Sequence, residues 1–298
     1  MLPNQSWQVL ETELRQLMAR GRPVRFVTNP GNAGDGLIAA GTWQLFDQLK
    51  LYPIVSKVKQ VERGDIAIYS GGGNLVPEYP ACREFLERCL AVGADRVLIL
   101  PHTIRGHERL LASLDERFTL VCRDTESLER VRVSAPGARV IEAPDLALCL
   151  DVKRLRESCR SLEARRHFAF DLVAHGQAAR YFRWRRTLRR LKSERSGTLY
   201  VLRADAEAPV GASGDPRWDI SKYYISKFRS RYECDFVSRD ILDFMEGVPA
   251  VVTNRLHVGI AGALMGKQVT FRDNSYGKIR AVFNTSLRGI QGLSLTDS

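Results

Sequence analysis

The sequence predicts an α/β protein with two Rossmann-like domains that face a cleft. Short β-rich runs such as DIAIYS and DRVLILP alternate with amphipathic segments along the first 150 residues. A second, shorter series of the same kind begins with TLYVLRAD at residue 198. Strands that alternate with helical segments are typical of parallel sheets covered by helices on both faces. We therefore expect an N-terminal domain over 1–150 and a smaller C-terminal domain over 198–298, with ligands at the carboxyl ends of the strands.

An arginine-rich helical connector is predicted between these domains, over 151–197. Its apolar residues recur at helical spacing and form one stripe flanked by arginines: Tyr181, Trp184, Leu188 and Leu191. In one interpretation the stripe is buried between the domains and the arginines are solvated. In the other, residues 180–195 lie on an anionic membrane surface. The spacing alone does not choose between them.

Composition and charge limit the classes of protein that fit this chain. Of its 298 residues, 44% are hydrophobic, and the formal net charge is +11. That charge suits nucleic acid, an anionic membrane surface or an anionic substrate, but the chain has no recognisable nucleic-acid-binding motif, so we expect no nucleic-acid partner. The N-terminus lacks a signal-peptide pattern, and no run reaches the roughly 18 apolar residues of a membrane-spanning helix. We expect a cytoplasmic protein whose six cysteines are reduced.

Two glycine-rich loops follow predicted strands in the first half. NPGNAGDG opens a helix and places Asn32, Gly34 and Asp35 where free helix N–H groups bind an anion or a polar ligand. Asp35 is either a helix cap or a catalytic group. In SGGGNL, three glycines favour a loop that faces a ligand over a simple turn. We expect this second loop to contribute three substrate contacts: Gly72, Gly73 and Asn74.

A third loop, PHTIRGHE, brings His102 and Arg105 to the end of the next strand. Both are candidate substrate contacts, although the pattern fits solvated loop residues equally well. The histidines of this loop have no cysteine or acidic partners at the spacing of a zinc site. No other cluster demands a metal, so we expect neither a metal nor a cofactor.

The most informative stretch is TNRLHVGIAGALMGKQ, residues 253–268. Arg255 and His257 stand where an apolar strand gives way to a helix, and a helix N-terminus is a natural anion site. The alternative is a capped core helix with a buried histidine. At the next strand end, FRDNSYGK supplies three more candidates: Asn274, Tyr276 and Lys278. Cationic side chains that converge on one site suit a small, doubly charged anion better than a duplex.

Several motifs occur in an order that resembles one known family. They are N-x-G-D-G-L-I, GGGN, LP-x-T-I, RD-x-ES, APDLAL, and R-L-H followed by G-K-x-V and N-x-Y-x-K. Together, from about residue 25 to residue 285, they resemble the polysaccharide pyruvyl transferase family. The arginine-rich segment lies outside this resemblance. His102 is a departure, because we expect Gln at that position of the motif.

The resemblance implies a fold similar to the GT-B glycosyltransferases and a ketal-forming transfer of pyruvyl from phosphoenolpyruvate to a sugar. It implies that the donor binds the C-terminal domain through Arg203, Arg255, Leu256 and His257, and that the acceptor binds the N-terminal domain. The acceptor is then a sugar of a cell-surface polysaccharide or of its lipid-linked precursor. His257 is the expected acid, because an ordinary histidine pKa of about 6.5 suits proton transfer near neutrality. Asp35 is expected to be the base or an acceptor ligand.

Two other functions fit parts of the pattern. A GT-B-like glycosyltransferase that uses a nucleotide sugar would share the fold and would bind a nucleoside diphosphate. A non-enzymatic protein that binds nucleic acid or lipid would follow from the net charge alone, and its binding would be sensitive to salt. The ordered motifs favour the pyruvyl transferase over both.

Overall fold

The computed structural model describes residues 4–203 and 214–296, which belong to two compact units. Unit 1 consists of Met1–Asn29, Thr42–Leu146 and Asn284–Ser286. Unit 2 consists of Pro30–Gly41, Ala147–Phe283 and Leu287–Ser298.

Helices and strands alternate along the described residues. The helices are α1 (Asn4–Met18), α2 (Asp35–Leu49), α3 (Ala81–Val92), α4 (Glu108–Ala112), α5 (Thr125–Ser134), α6 (Val152–Ser158), α7 (Leu162–Ala174), α8 (Ala178–Glu194), α9 (Arg231–Met245), α10 (Leu256–Leu264) and α11 (Lys278–Val282). The strands are β1 (Val24–Val27), β2 (Gly31–Asn32), β3 (Ile54–Ser56), β4 (Ile66–Tyr69), β5 (Gly72–Leu75), β6 (Arg96–Ile104), β7 (Phe118–Cys122), β8 (Arg139–Glu142), β9 (Leu199–Val201), β10 (Ile225–Ser226), β11 (Ala250–Thr253), β12 (Gln268–Arg272) and β13 (Leu293–Thr296).

Unit 1 is built on a parallel sheet with the strand order β3-β1-β4-β6-β7-β8, and β5 pairs with the carboxyl end of β6. Strand β4 is buried along its whole length, as expected for a parallel strand that is covered on both faces. Helix α3 contributes the fully buried side chains of Phe85 and Leu86 to the core. Tyr69 and Phe118 lie in the same hydrophobic cluster, so strands and helix share one core.

Unit 2 contains a second parallel sheet, with the order β13-β12-β11-β9. Helix α10 packs directly on this sheet because glycines face it. A Cβ on Gly259 would lie 2.0 Å from the ring of Phe271, and a Cβ on Gly262 would lie 2.8 Å from Val269. Only a residue without a side chain permits so close an approach. The two sheets together confirm the predicted α/β class with two series of parallel strands.

The units divide the chain differently from the three expected segments. Residues 30–41, expected in the N-terminal domain, belong to unit 2. Their strand β2 pairs antiparallel with β10, and the Ala33 N–H donates to the Ser221 carbonyl at 3.1 Å. A pairing of two residues on each side is too short to leave a pattern in the sequence. Segment 151–197, expected as a separate connector, forms α6, α7 and α8 and also belongs to unit 2.

The apolar stripe of the arginine-rich helix α8 is buried within unit 2. Tyr181 and Trp184 are each 1% exposed. The Tyr181 hydroxyl donates to Asp240 at 2.7 Å, and the Trp184 indole N–H donates to the Ile220 carbonyl at 2.9 Å. Burial, reinforced by the Asp240 charge, raises the pKa of Tyr181 well above its ordinary value, so the hydroxyl keeps its proton. The stripe is therefore buried within unit 2 rather than between two domains, and its side chains are not available to a membrane surface.

Among the described residues, none of the helices is both long and apolar enough to cross a bilayer. The six cysteines are free thiols, and five of them are buried. Burial raises the pKa of Cys89 and that of Cys159 to about 12. Both thiols therefore stay protonated at neutral pH and act as packing residues.

Candidate functional site

The carboxyl edge of the unit 2 sheet holds a tightly bonded turn between β11 and α10. The Thr253 hydroxyl donates to the Val201 carbonyl at 2.6 Å and accepts the Arg255 N–H at 2.9 Å. The side-chain oxygen of Asn254 accepts the Arg203 N–H at 2.6 Å. Thr253 and Asn254 are both buried. They join the ends of the paired strands β9 and β11, so the backbones of Arg203 and Arg255 are held at the same edge.

Arg255 is the N-cap residue of α10, and its guanidinium is bound to Asp219. The Arg255 Nε lies 3.0 Å from Asp219 Oδ1, and Nη2 lies 2.5 Å from Oδ2. The Ser221 hydroxyl donates a further bond to Asp219 Oδ1 at 2.9 Å. Asp219 is fully buried and Arg255 is 8% exposed. A bidentate pair of this kind fixes the plane of the guanidinium.

His257 lies in the first turn of α10, close to Asp35 at the start of α2. The distance from His257 Nδ1 to Asp35 Oδ1 is 3.8 Å, which is longer than a direct hydrogen bond. The side chains of His257 and Asp35 are 11% and 19% exposed, so each is largely buried but reaches solvent. Two groups that can exchange protons with a ligand thus stand side by side.

The loop before α2 is shaped to hold Asp35 in this place. Asp35 Oδ2 accepts the Asn32 N–H at 2.8 Å, and Asn32 Oδ1 accepts the Gly34 N–H at 2.8 Å. A Cβ on Gly34 would lie 3.2 Å from the Cβ of His257. Gly34 therefore keeps the space that lets the loop and the start of α10 approach each other. One carboxylate oxygen of Asp35 accepts a hydrogen bond from the loop, and the other faces His257.

The turn after β12 lies at the same sheet edge, because Phe271 of β12 pairs with Thr253 of β11. Asn274 is buried, and its side-chain oxygen accepts the Lys278 N–H at 2.8 Å, which shapes the start of α11. Tyr276 and Lys278 are half-buried and reach solvent. Leu256 is 5% exposed, so its side chain belongs to the core of unit 2.

The GGGN loop of unit 1 is held by buried side chains beneath it. His102 is fully buried, and its Nε2 lies 2.8 Å from Asn74 Oδ1. The Asn74 amide nitrogen donates to Asn29 Oδ1 at 2.6 Å and to the Tyr69 hydroxyl at 3.1 Å. A Cβ on Gly72 would lie 2.3 Å from the amide nitrogen of Asn29, so this glycine is required by the packing. His102 and Asn74 thus hold the loop from below.

Other residues expected to contact a ligand in unit 1 have different surroundings. Gly73 is half-buried in β5. Arg105 forms an ion pair with Glu78 at the surface. The pair leaves Arg105 on the outside of the loop that follows β6.

A buried network that sequence reasoning missed links the ends of β6 and β7. Arg123 Nη1 donates to Asp145 at 2.6 Å, and Arg123 Nε donates to the Thr103 hydroxyl at 2.9 Å. That hydroxyl donates to Asp124 at 2.8 Å, and Asp124 caps α5 by accepting the Ser127 N–H. Arg123 and Asp145 are fully buried. The motifs RD-x-ES and APDLAL therefore hold unit 1 together. The sequence feature that could have predicted this network is the presence of charged residues directly after apolar strands.

The predicted residues fall into two groups. Unit 2 brings together the loop with Asn32, Gly34 and Asp35, and the turn with Arg255 and His257. Unit 1 brings together Gly72, Asn74 and His102. Asp219 had no motif to reveal it, since it lies 36 positions before its partner Arg255. Within residues 4–203 and 214–296, no group of three or more His, Cys, Asp or Glu side chains is arranged to hold a metal ion.

Comparison with known proteins identifies the family to which this chain belongs. The sequence profile described as polysaccharide pyruvyl transferase matches residues 32–276. EpsO of Bacillus subtilis strain 168, whose name describes a pyruvyl transferase, is 25% identical over 292 residues, covering 89% of this chain and 85% of EpsO. General stress protein 30 of the same strain is 23% identical over 268 residues, covering 82% of this chain and 67% of that protein.

A crystal structure of a functionally uncharacterised protein from Klebsiella pneumoniae has a similar fold. It superimposes with a TM-score of 0.77 at 23% identity, covering 99% of this chain and all of that one. At this identity the likeness concerns the fold alone. The family profile, in contrast, spans well over half of the sequence. The chain therefore belongs to the polysaccharide pyruvyl transferase family.

Proposed function

We propose that the protein transfers a pyruvyl group from phosphoenolpyruvate to a sugar of a cell-surface polysaccharide or of its lipid-linked precursor, forming a ketal. The observation that carries the proposal is the pair of Asp35 and His257 beside the anchored Arg255, at the N-terminus of α10. The fold that we propose is similar to that of GT-B glycosyltransferases, because each unit contains a parallel sheet.

The donor is a small anion with a carboxylate and a phosphate close together. The first turn of α10 offers backbone N–H groups that have no carbonyl partner inside the helix. Arg255 adds a guanidinium whose plane is set by Asp219. Arg203 and Lys278 lie on turns at the same edge of the sheet and supply further positive charge. This is a site for a doubly charged ligand rather than for a long polyanion.

The proposed reaction needs one proton donor and one proton acceptor. His257 delivers a proton to the methylene carbon of phosphoenolpyruvate, and a sugar hydroxyl forms a bond to the central carbon while its proton passes to Asp35. A second hydroxyl of the same sugar then attacks that carbon. Phosphate leaves with its bonding electron pair and takes up the second hydroxyl proton. The 3.8 Å between the two side chains suits groups that act on neighbouring atoms of one ligand.

Isotope incorporation tests this proposal. The acceptors are aryl hexosides with two free hydroxyls whose oxygens are close enough to bond to the same ketal carbon. The reaction runs in D2O with phosphoenolpyruvate as the donor. We expect a ketal whose methyl group carries one deuterium. His257→Gln is expected to lose more than about a hundredfold of the rate, in line with the loss of a general acid, while it still binds phosphoenolpyruvate. His175→Gln, at an exposed histidine, is the matched control and keeps the wild-type rate.

A glycosyltransferase that uses a nucleotide sugar remains the alternative to be tested beside it. It predicts release of nucleoside diphosphate from a nucleotide sugar and no consumption of phosphoenolpyruvate. Transfer from the nucleotide sugar by wild type, without any ketal formation, would replace the proposal with this alternative.

A further inference from the structure

Helices α7 and α8 carry large apolar side chains on their outer surface. Leu162, Phe170 and Val173 of α7 are 63%, 70% and 73% exposed, and Phe182 of α8 is 62% exposed. These side chains are distinct from the buried stripe of α8, which consists of Tyr181, Trp184, Leu188 and Leu191. Exposed apolar groups that cluster are a sign of an interaction surface, whereas single ones are common on any protein.

The four side chains belong to one continuous surface. Phe170 and Val173 follow Leu162 on α7 by 8 and 11 positions, a spacing that places all three on one face of the helix. The helices contact each other, and a groove of about 610 Å³ runs beside them. Val173 and Phe182 line that groove from the two helices. We call this area, with its four apolar side chains, the α7–α8 surface.

The same surface is strongly basic. Residues 160–192 contain ten Lys and Arg against two Asp and Glu, so this stretch contributes +8 to a chain whose net charge is +11. Four exposed arginines share the outer faces of the helices with the apolar groups: Arg165, Arg166, Arg186 and Arg189. Elsewhere in unit 2 arginines form ion pairs, as Arg239 does with Asp240. These four form no ion pair with any residue of 4–203 or 214–296.

We propose that the α7–α8 surface docks on a lipid bilayer that contains anionic lipids. Anionic headgroups complement the arginines, and the boundary between headgroups and acyl chains takes up exposed Phe, Leu and Val side chains. A nucleic-acid duplex offers phosphates but no apolar phase for these groups. A second copy of this chain would place its own surface of charge +8 against this one, and the two surfaces would repel each other. The surface does not depend on the proposed transferase reaction, and its test uses no enzymatic readout.

The test is co-sedimentation of the full chain with vesicles. Phosphatidylcholine vesicles are compared with vesicles of phosphatidylcholine and phosphatidylglycerol. We expect binding to the second kind only, and loss of binding at high salt. A charge variant, Arg166→Glu with Arg186→Glu and Arg189→Glu, is expected to bind more than about tenfold more weakly, because each arginine near an anionic surface favours binding about fivefold.

An apolar variant separates membrane docking from attraction to any polyanion. Phe170→Ser with Val173→Ser and Phe182→Ser is also expected to bind at least about tenfold more weakly. The matched controls make the same changes on unit 1, at exposed Arg109, Arg130 and Arg132 or at exposed Tyr52, Ile54 and Val133, and both keep wild-type binding. All substituted side chains are exposed, and melting curves verify that each variant is folded.

Three results would overturn the proposal. The first is a wild type that does not bind the anionic vesicles. The second is an apolar variant that binds them as well as wild type does, which would leave only a charge attraction shared with nucleic acid. The third is a dimer, measured by light scattering, that the apolar variant dissociates, which would assign the surface to a second copy.

Discussion

The Arg255 guanidinium and the Asp219 carboxylate form a buried bidentate ion pair, with Nε–Oδ1 at 3.0 Å and Nη2–Oδ2 at 2.5 Å. Arg255 is the N-cap residue of the helix whose first turn carries His257, so the pair fixes one side of the candidate site. A buried charge is costly unless it is paired and hydrogen-bonded. The pair therefore has both a structural role in unit 2 and a positioning role for Arg255.

Removing Asp219 alone should leave the Arg255 charge buried without its partner. We expect Asp219→Ala to lower the free energy of unfolding by about 3–5 kcal/mol, measured by urea denaturation. Glu78→Ala is the control, because it removes the acidic partner of Arg105 at the surface and should cost less than about 1 kcal/mol. Equal effects of the two substitutions would show that the buried pair does not stabilise unit 2.

Gly34 and Gly36 allow a matched test of the contact between the α2 loop and His257. A Cβ on Gly34 would lie 3.2 Å from His257, and one on Gly36 would lie 3.2 Å from Phe228. Each alanine should therefore cost about 1–3 kcal/mol of stability by overpacking. Only Gly34→Ala should also reduce kcat, since only it displaces His257 or Asp35. A Gly36→Ala variant that is slowed as strongly would contradict a specific role for the loop.

His102 offers a test of the support beneath the GGGN loop. The Asn74 side-chain nitrogen donates to Asn29 and Tyr69, so the Asn74 side-chain oxygen faces His102 Nε2 at 2.8 Å, and the Asn74 backbone N–H faces the same nitrogen at 3.2 Å. His102→Gln can keep a hydrogen bond to Asn74 and should retain stability and activity. His102→Leu leaves these buried polar groups of Asn74 without their partner and should cost about 1–3 kcal/mol.

The control for this pair is His175→Leu, at an exposed histidine, which should be nearly neutral. Thermal melting compares the three variants. If His102→Leu has the same melting temperature as the wild type, the buried contact does not stabilise the loop in the way that its geometry indicates.

Two buried thiols predict how stability changes at alkaline pH. In the folded chain the pKa of Cys89 and that of Cys159 are raised from 9.0 to about 12, mainly by burial. The unfolded chain therefore releases these protons at lower pH than the native state does. Over that interval the native state binds more protons, so the free energy of unfolding falls as pH rises from about 9 towards 12.

Chemical denaturation at a series of alkaline pH values measures this slope. Cys89→Ala combined with Cys159→Ala is expected to make the slope shallower than in wild type. Equal slopes would mean that other groups carry the whole alkaline transition.

The sequence was sufficient for the features that depend on local pattern. Parallel strands in two series follow from apolar runs that alternate with amphipathic segments, and the turn with Arg255 and His257 follows from a strand that ends before a helix. The burial of Tyr181 and Trp184 could not be decided, because periodicity defines an apolar face but not what covers it. The pairing of Arg255 with Asp219 depends on tertiary structure, as does the attachment of Asp35 to unit 2 through β2 and β10.

The proposed function requires that the turn of Arg255 and His257 binds phosphoenolpyruvate. The most direct test is a thermal-shift titration of wild type with phosphoenolpyruvate and, separately, with uridine diphosphate, repeated on Arg255→Lys. Arg255→Lys keeps a positive charge beside Asp219 but loses the bidentate geometry. At about a hundred times Kd, a ligand that binds only the folded state stabilises it by about 2.7 kcal/mol. We predict stabilisation of wild type by phosphoenolpyruvate, a much weaker effect in Arg255→Lys, and none from the nucleotide. Stabilisation by uridine diphosphate alone, or by phosphoenolpyruvate equally in both proteins, would contradict the claim.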